Sequence, residues 1–217
     1  MKYFLAILSI IVISFQVKGQ VEIELPKNEF SFNLLSLKNR YVVEGGKKYY
    51  LNFLHGLSYK RYFNKNAIRF NFSYFQKIDE IENSQSESDG NFSEIEFGLG
   101  YQRGFLNNWI KPYIAVDFKI MGGNLVEERT DILNPSYEKY DINKLGIGIS
   151  PTFGVKFETK TPLSFSIETN VEMLMYRDDG SVYFWSPAEV PDLSDVNKSG
   201  FRSGFNPVAA LFISLEF

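Results

Sequence analysis

From residue 30 to the C-terminus the chain is a succession of segments in which apolar residues recur at every second position. Successive side chains of a strand point to opposite faces, so this alternation predicts strands with one oily face and one polar or small face. The clearest case is residues 145–157, with Leu145, Ile147, Ile149, Phe153, Val155 and Phe157 against Gly146, Gly148, Ser150, Thr152, Gly154 and Lys156. Pro151 interrupts it, and a residue without an N–H predicts a bulge there. Seven further strands are predicted over residues 30–37, 49–63, 68–76, 92–102, 111–121, 163–173 and 205–217. The first is the least regular, its alternation failing near Leu35. In the last, Leu211, Ile213, Leu215 and Phe217 share one face while Asn206, Ser214 and Glu216 share the other.

The connections alternate in length. Residues 38–47, 79–91, 122–141 and 177–204 read as long polar loops, whereas Asn64-Lys65-Asn66, Leu106-Asn107-Asn108 and Thr159 to Pro162 read as short turns. In an up-and-down arrangement alternate connections lie at the same end, so the long loops would share one rim and the short turns the other. The expected fold is therefore an all-β, eight-stranded antiparallel up-and-down barrel. That asymmetry is typical of transmembrane barrels in bacterial outer membranes. Tyr59, Tyr62, Phe63, Tyr101, Phe105, Trp109 and Phe217 fall at the short-turn ends and are expected to form an aromatic girdle.

Two opposite arrangements fit the alternation. In a membrane barrel the oily faces look outward; in a soluble barrel of lipocalin type they line a ligand cavity. The minority face carries Gly98, Gly100, Gly146, Gly148 and Gly154 together with charges, which suits the crowded interior of a narrow cylinder better than an outer surface.

The N-terminus supplies an address. Lys2, the apolar run from Phe4 to Phe15, and Val17-Lys18-Gly19 ahead of Gln20 form the three-part pattern of a secretory signal. Residues 1–19 are expected to be a signal peptide and residues 20–217 the barrel domain. The apolar run is shorter than the ~20 residues of a spanning helix. Composition narrows the classes further. A formal charge of −3 without a basic block gives no reason to expect nucleic acid. The absence of cysteine removes disulfides, thiol chemistry and a lipidated N-terminal cysteine. A mean hydropathy of −0.17 is too low for a helical membrane protein but not for a barrel in which alternate residues are polar.

With its predicted signal segment, eight alternating strands and terminal aromatic, the stretch from Phe30 to Phe217 resembles the small eight-stranded outer-membrane barrels of the OmpA transmembrane-domain and OmpX type. The resemblance implies an outer-membrane location in a Gram-negative envelope, contact with outer-membrane lipid, and insertion by the barrel-assembly machinery. That machinery would read the final strand, at Leu211, Ile213, Leu215 and Phe217. No peptidoglycan-binding segment follows Phe217, so a two-domain anchoring role is not expected. A monomer is expected.

Residues that could carry chemistry are few. Arg69, Glu94, Glu96, Asp117, Lys119, Lys144, Glu168 and Glu172 fall on the inward face and are expected to pair into a lumen network, because an unpaired charge there would be strongly destabilising. A paired-carboxylate acid/base site or a proton path is the sharper alternative. His55 is the sole histidine. Lipid-modifying enzymes of this barrel size use a histidine with a serine or an acid, but strand parity places His55 and Ser58 on opposite faces and His55 toward lipid, unless a bulge turns it inward. Asp195 to Gly200 copies half of an EF-hand loop, with Asn206 where the bidentate Glu belongs. Tyr183, Phe184 and Trp185, set among acidic residues, are a candidate loop contact surface. No catalytic, cofactor or metal site is expected. The expected function is a non-enzymatic envelope-structural or surface-binding barrel, with a narrow or proton-conducting channel and a lipid-modifying enzyme as alternatives.

Overall fold

The computed structural model describes residues 28–42, 46–82, 86–105, 109–131, 135–187 and 189–217, so the expected signal peptide and the turn at 106–108 lie outside the described residues. Eight strands follow one another: β1 (Asn28–Val42), β2 (Gly46–Phe63), β3 (Asn66–Glu82), β4 (Ser86–Gly104), β5 (Ile110–Asp131), β6 (Ser136–Glu158), β7 (Leu163–Ser186) and β8 (Glu189–Glu216). Each pairs antiparallel with the next, and β8 returns to β1, closing an all-β up-and-down barrel. At the closure Asn28 N–H donates to the Phe217 carbonyl at 2.9 Å, and Phe217 N–H returns a bond to the Asn28 carbonyl at 3.0 Å.

The two faces divide as the alternation requires. Phe97 and Ile147 are 58% and 48% exposed on the outer surface, as are Phe70, Phe118, Ile149 and Phe153, while Arg69, Glu94, Glu96, Asp117 and Glu168 are buried inside. The inverted, lipocalin-like arrangement is therefore excluded.

The connections differ from expectation. Within the segments 38–47, 79–91, 122–141 and 177–204, residues 38–42, 46–47, 79–82, 86–91, 122–131, 136–141, 177–186 and 189–204 are not open loop but continue the strands as paired ribbons. Ile81 pairs with Ser88, Asp131 with Ser136, and Phe184 with Asp192. The hydrophobic alternation stops where the strands no longer have a greasy side, yet the backbone ladder needs no apolar residues to continue. Asymmetry between the rims consequently lies in strand overhang rather than loop length.

Bulges also fall elsewhere than predicted. β6 keeps one register with β7 from Ile149↔Met173 to Thr152↔Asn170, so Pro151 merely interrupts the pairing without shifting it. Shifts occur at Leu34, where the alternation fails, between Leu35 and Leu37 against β8, opposite Thr169, where Pro207 lies in β8, and between Phe184 and Ser186. Tyr62 leaves the expected girdle: its hydroxyl donates to Glu29 Oε2 at 2.7 Å, inside the barrel. Phe63, Tyr101, Phe105, Trp109 and Phe217 are exposed at the short-turn rim.

Glycine makes one inward ring fit. A Cβ on Gly154 would run into the ring of Tyr113, which is buried. Gly154→Ala should lower the urea unfolding free energy by about 1–3 kcal/mol, as expected for overpacking. Combining it with Tyr113→Ala should cost less than the sum of the two single changes, since the clash is then gone.

Candidate functional site

An eight-stranded cylinder has an interior just wide enough for its own side chains, so inward residues meet across it. Near the short-turn rim, Glu29 on β1 lies between Lys60 on β2, at 2.9 Å, and Lys156 on β6, at 2.6 Å. Lys156 also reaches Glu216 on β8 at 2.6 Å. Glu29 is fully buried. It lies one position before the expected first strand, and its inward parity with Ser31 and Asn33 is the signal that would have found it.

The middle of the barrel is held by Arg69. Its guanidinium donates to both oxygens of Glu168 across the lumen, at 2.8 and 2.9 Å, and its Nε is 3.0 Å from Asp117. Tyr113 donates its hydroxyl to Glu168 at 2.7 Å. Farther from the short-turn rim, Lys119 bonds Glu172 at 2.6 Å and Ser73 bonds Glu96 at 2.9 Å, with Glu94 buried nearby in sequence. Lys144 pairs instead with Asp178 at 3.2 Å, a residue placed by the sequence in a loop. A cavity of about 50 Å³ among Arg69, Asn71, Glu96, Asp117 and Lys119 leaves space for water only.

Above the charges the interior turns apolar. Leu125, Tyr140 and Ile142 are buried and pack with Phe92, Val182 and Val196. The long-loop reading concealed this layer, although Leu125 and Ile142 continue the inward parity of β5 and β6. On the outside of the same ribbons, Lys139 donates to Glu128 at 2.7 Å and holds that carboxyl below its ordinary value.

His55 is turned inward by the backbone. Leu54 adopts φ = 46°, a conformation that a branched side chain rarely takes. Leu54 is thrown onto the outer surface, and His55 Nε2 comes within 3.0 Å of Ser36 Oγ and 3.5 Å of Asn33 Nδ2. Ser58, the partner suggested by sequence proximity, donates to Asn71 instead.

The remaining candidates are placed by the ribbons. Asp195 to Gly200 lie in the β7–β8 ladder, paired from Ser181↔Asp195 to Tyr176↔Gly200, so the half EF-hand has no loop to coordinate with. Among the described residues no cluster of His, Asp or Glu has the arrangement of a metal site. Tyr183, Phe184 and Trp185 are strand residues opposite Lys139, Glu138 and Tyr137, and the Tyr183 and Tyr137 rings meet edge-on at 6.1 Å. On the outer face of this ribbon exposed Met175 pairs with exposed Phe201 and Tyr183 with exposed Leu193, and the polar pairs Arg177↔Ser199, Asp179↔Asn197 and Ser181↔Asp195 lie between them. Leu211, Ile213, Leu215 and Phe217 keep to the outer side of β8, with buried Phe212 and Ser214 between them.

Removing Arg69 leaves two carboxylates buried without their shared cation. Arg69→Met should destabilise the folded barrel by about 3–5 kcal/mol in urea titration. Adding Asp117→Asn and Glu168→Gln should restore much of that loss.

No protein-family model and no curated protein sequence matches the chain.

Proposed function

We propose that the protein is a non-enzymatic transmembrane barrel of a bacterial outer membrane, contributing to the envelope and binding at the cell surface through its overhanging ribbons. The observation that carries this reading is a continuous outer belt of exposed aliphatic and aromatic residues around an interior of paired charges. Such a surface is unfavourable in water and favourable in hydrocarbon. At about 3.3 Å per residue and a tilt of roughly 40°, the outward residues from Leu145 to Phe157 climb roughly 30 Å, comparable with a hydrocarbon core. Aromatics such as Tyr101, Phe105 and Trp109 at one edge suit an interface. Outer-membrane lipid and, during insertion, the barrel-assembly machinery are the partners this implies. The outer end of the β7–β8 ribbon, with Tyr183, Phe184 and Trp185 beside exposed Leu193, is the candidate contact surface.

Neither alternative gains similar support. A channel would need a continuous polar passage, and the lumen is filled by cross-bonded charges below an apolar layer. A lipid-modifying enzyme would need an accessible nucleophile, and Ser36, the serine beside His55, is fully buried.

The folded protein should therefore fractionate with the outer membrane and shift its gel mobility on boiling. Appearance in the soluble periplasmic fraction would refute the assignment. Planar bilayers should show no steady conductance, in the natural protein or after Glu94→Gln with Glu96→Gln. Cells carrying His55→Ala should keep the lipid composition of the parent.

A further inference from the structure

The outward charges at the short-turn end are of one sign. Among the described residues there, the acidic side chains of Glu29, Glu158 and Glu216 turn inward, where Lys60, Lys111 and Lys156 hold them. Exposed Arg61, Lys65, Arg103 and Lys160 are left on the outer side, and among the described residues none of them makes an ion pair.

Register sets two of these cations on either side of β3. Asn28, Arg61, Ile68 and Tyr101 share one outward rung, and Phe63, Asn66 and Arg103 share the next toward the rim. With strands about 4.8 Å apart and a rise of about 3.4 Å per residue, the two arginines stand about 10 Å apart across the wall and roughly 7 Å apart along it. Arg61 donates one N–H to the Asn28 side-chain oxygen at 2.6 Å, and Asn28 in turn donates to the Phe217 carbonyl. A guanidinium carries five N–H donors, so most of those on Arg61 remain. The interval over Ile68 and Asn66 is thus flanked by two cations and suits a group that accepts hydrogen bonds on several oxygens.

On the side away from the rim, the same strands carry a groove of about 490 Å³ in the outer wall. Tyr59, Phe70, Leu99 and Phe118 form the rung next to Arg61, Ile68 and Tyr101, and Phe72 and Phe97 belong to the rung beyond. Polar flank and apolar groove therefore lie in one line up β2, β3 and β4.

The geometry points to a site for one anionic glycerophospholipid of the leaflet that meets the short-turn rim, its phosphodiester between Arg61 and Arg103 and an acyl chain along the groove. This rests on the membrane reading above and deepens it by naming the lipid class. Guanidinium forks match phosphate oxygens in shape as well as charge, and basic clusters beside a membrane select anionic headgroups. A zwitterionic headgroup would bring its own ammonium against Lys65 and the arginines, with no outward carboxylate there to receive it. The groove has the volume of an ordinary ligand site and takes part of one lipid, not a solvated ion.

Fluorescence quenching tests the site. In a Trp109→Phe, Trp185→Phe background, one reporter is Phe118→Trp at the groove and the other is Ile167→Trp on β7, also exposed on the belt and paired with Val155 and Leu211. Each protein is refolded into phosphatidylcholine vesicles containing rising fractions of brominated phosphatidylglycerol or, separately, brominated phosphatidylcholine. At Phe118→Trp the phosphatidylglycerol should reach half-quenching at about a fivefold lower mole fraction than the phosphatidylcholine, the scale of two cations beside a phosphate. At Ile167→Trp the two curves should coincide. Adding Arg61→Gln with Arg103→Gln, folding being verified by heat-shifted gel mobility, should bring the Phe118→Trp curves together. Coincident curves at Phe118→Trp with both arginines present, an equal preference at both reporters, or a preference that survives the double substitution would overturn the site. Absence of quenching of either reporter by either lipid would overturn the membrane reading, and the site with it.

Discussion

A closed cylinder of eight strands has so little internal width that a long side chain projecting inward reaches the opposite wall. Much of this structure follows from that constraint. Arg69 on β3 finds Glu168 on β7 because there is no room to avoid it, and Lys156 on β6 meets Glu29 on β1 for the same reason. Charges taken out of water must be paired to be tolerated, so the interior becomes a stack of cross-braces. The Arg69–Glu168, Lys119–Glu172 and Lys156–Glu29 braces tie strands that are not neighbours in the barrel wall. Gly154 and Gly100 yield their volume to Tyr113 and Asp117, which shows how completely the space is filled. A lumen occupied in this way is a structural core, which supports a role performed at the outer surface and rims.

The alternation made the barrel legible because two different environments lie on either side of each strand. Where that contrast holds, as in β6 from Leu145 to Phe157, sequence and structure agree residue by residue. Where the sequence no longer alternates, as in residues 79–82 and 86–91, the backbone still pairs but the side chains carry no periodic signal. The overhanging ribbons were unreadable for this reason rather than through any irregularity. Leu125, Ile142 and Val196 mark the exception, an apolar layer inside the overhang that sparse positions could not announce.

The candidate residues show the same limit. Parity alone placed the inward charges, but not their partners, because partners are chosen across the cylinder and not along the chain. Parity also sent His55 outward. A single left-handed residue, Leu54, exchanged the faces of two neighbours, and a sequence without a glycine at that position gives no warning of it.

Cysteine scanning along β6 tests the central claim most directly, since the natural chain contains no cysteine to interfere. In intact vesicles, single cysteines at Ile147, Ile149 and Phe153 should resist a membrane-impermeant maleimide yet react with a lipid-soluble one, whereas a cysteine at exposed Lys139 on the overhanging ribbon should react with both. Rapid labelling of Ile147→Cys and Phe153→Cys by the impermeant reagent would contradict the account, because it would put the apolar face in water.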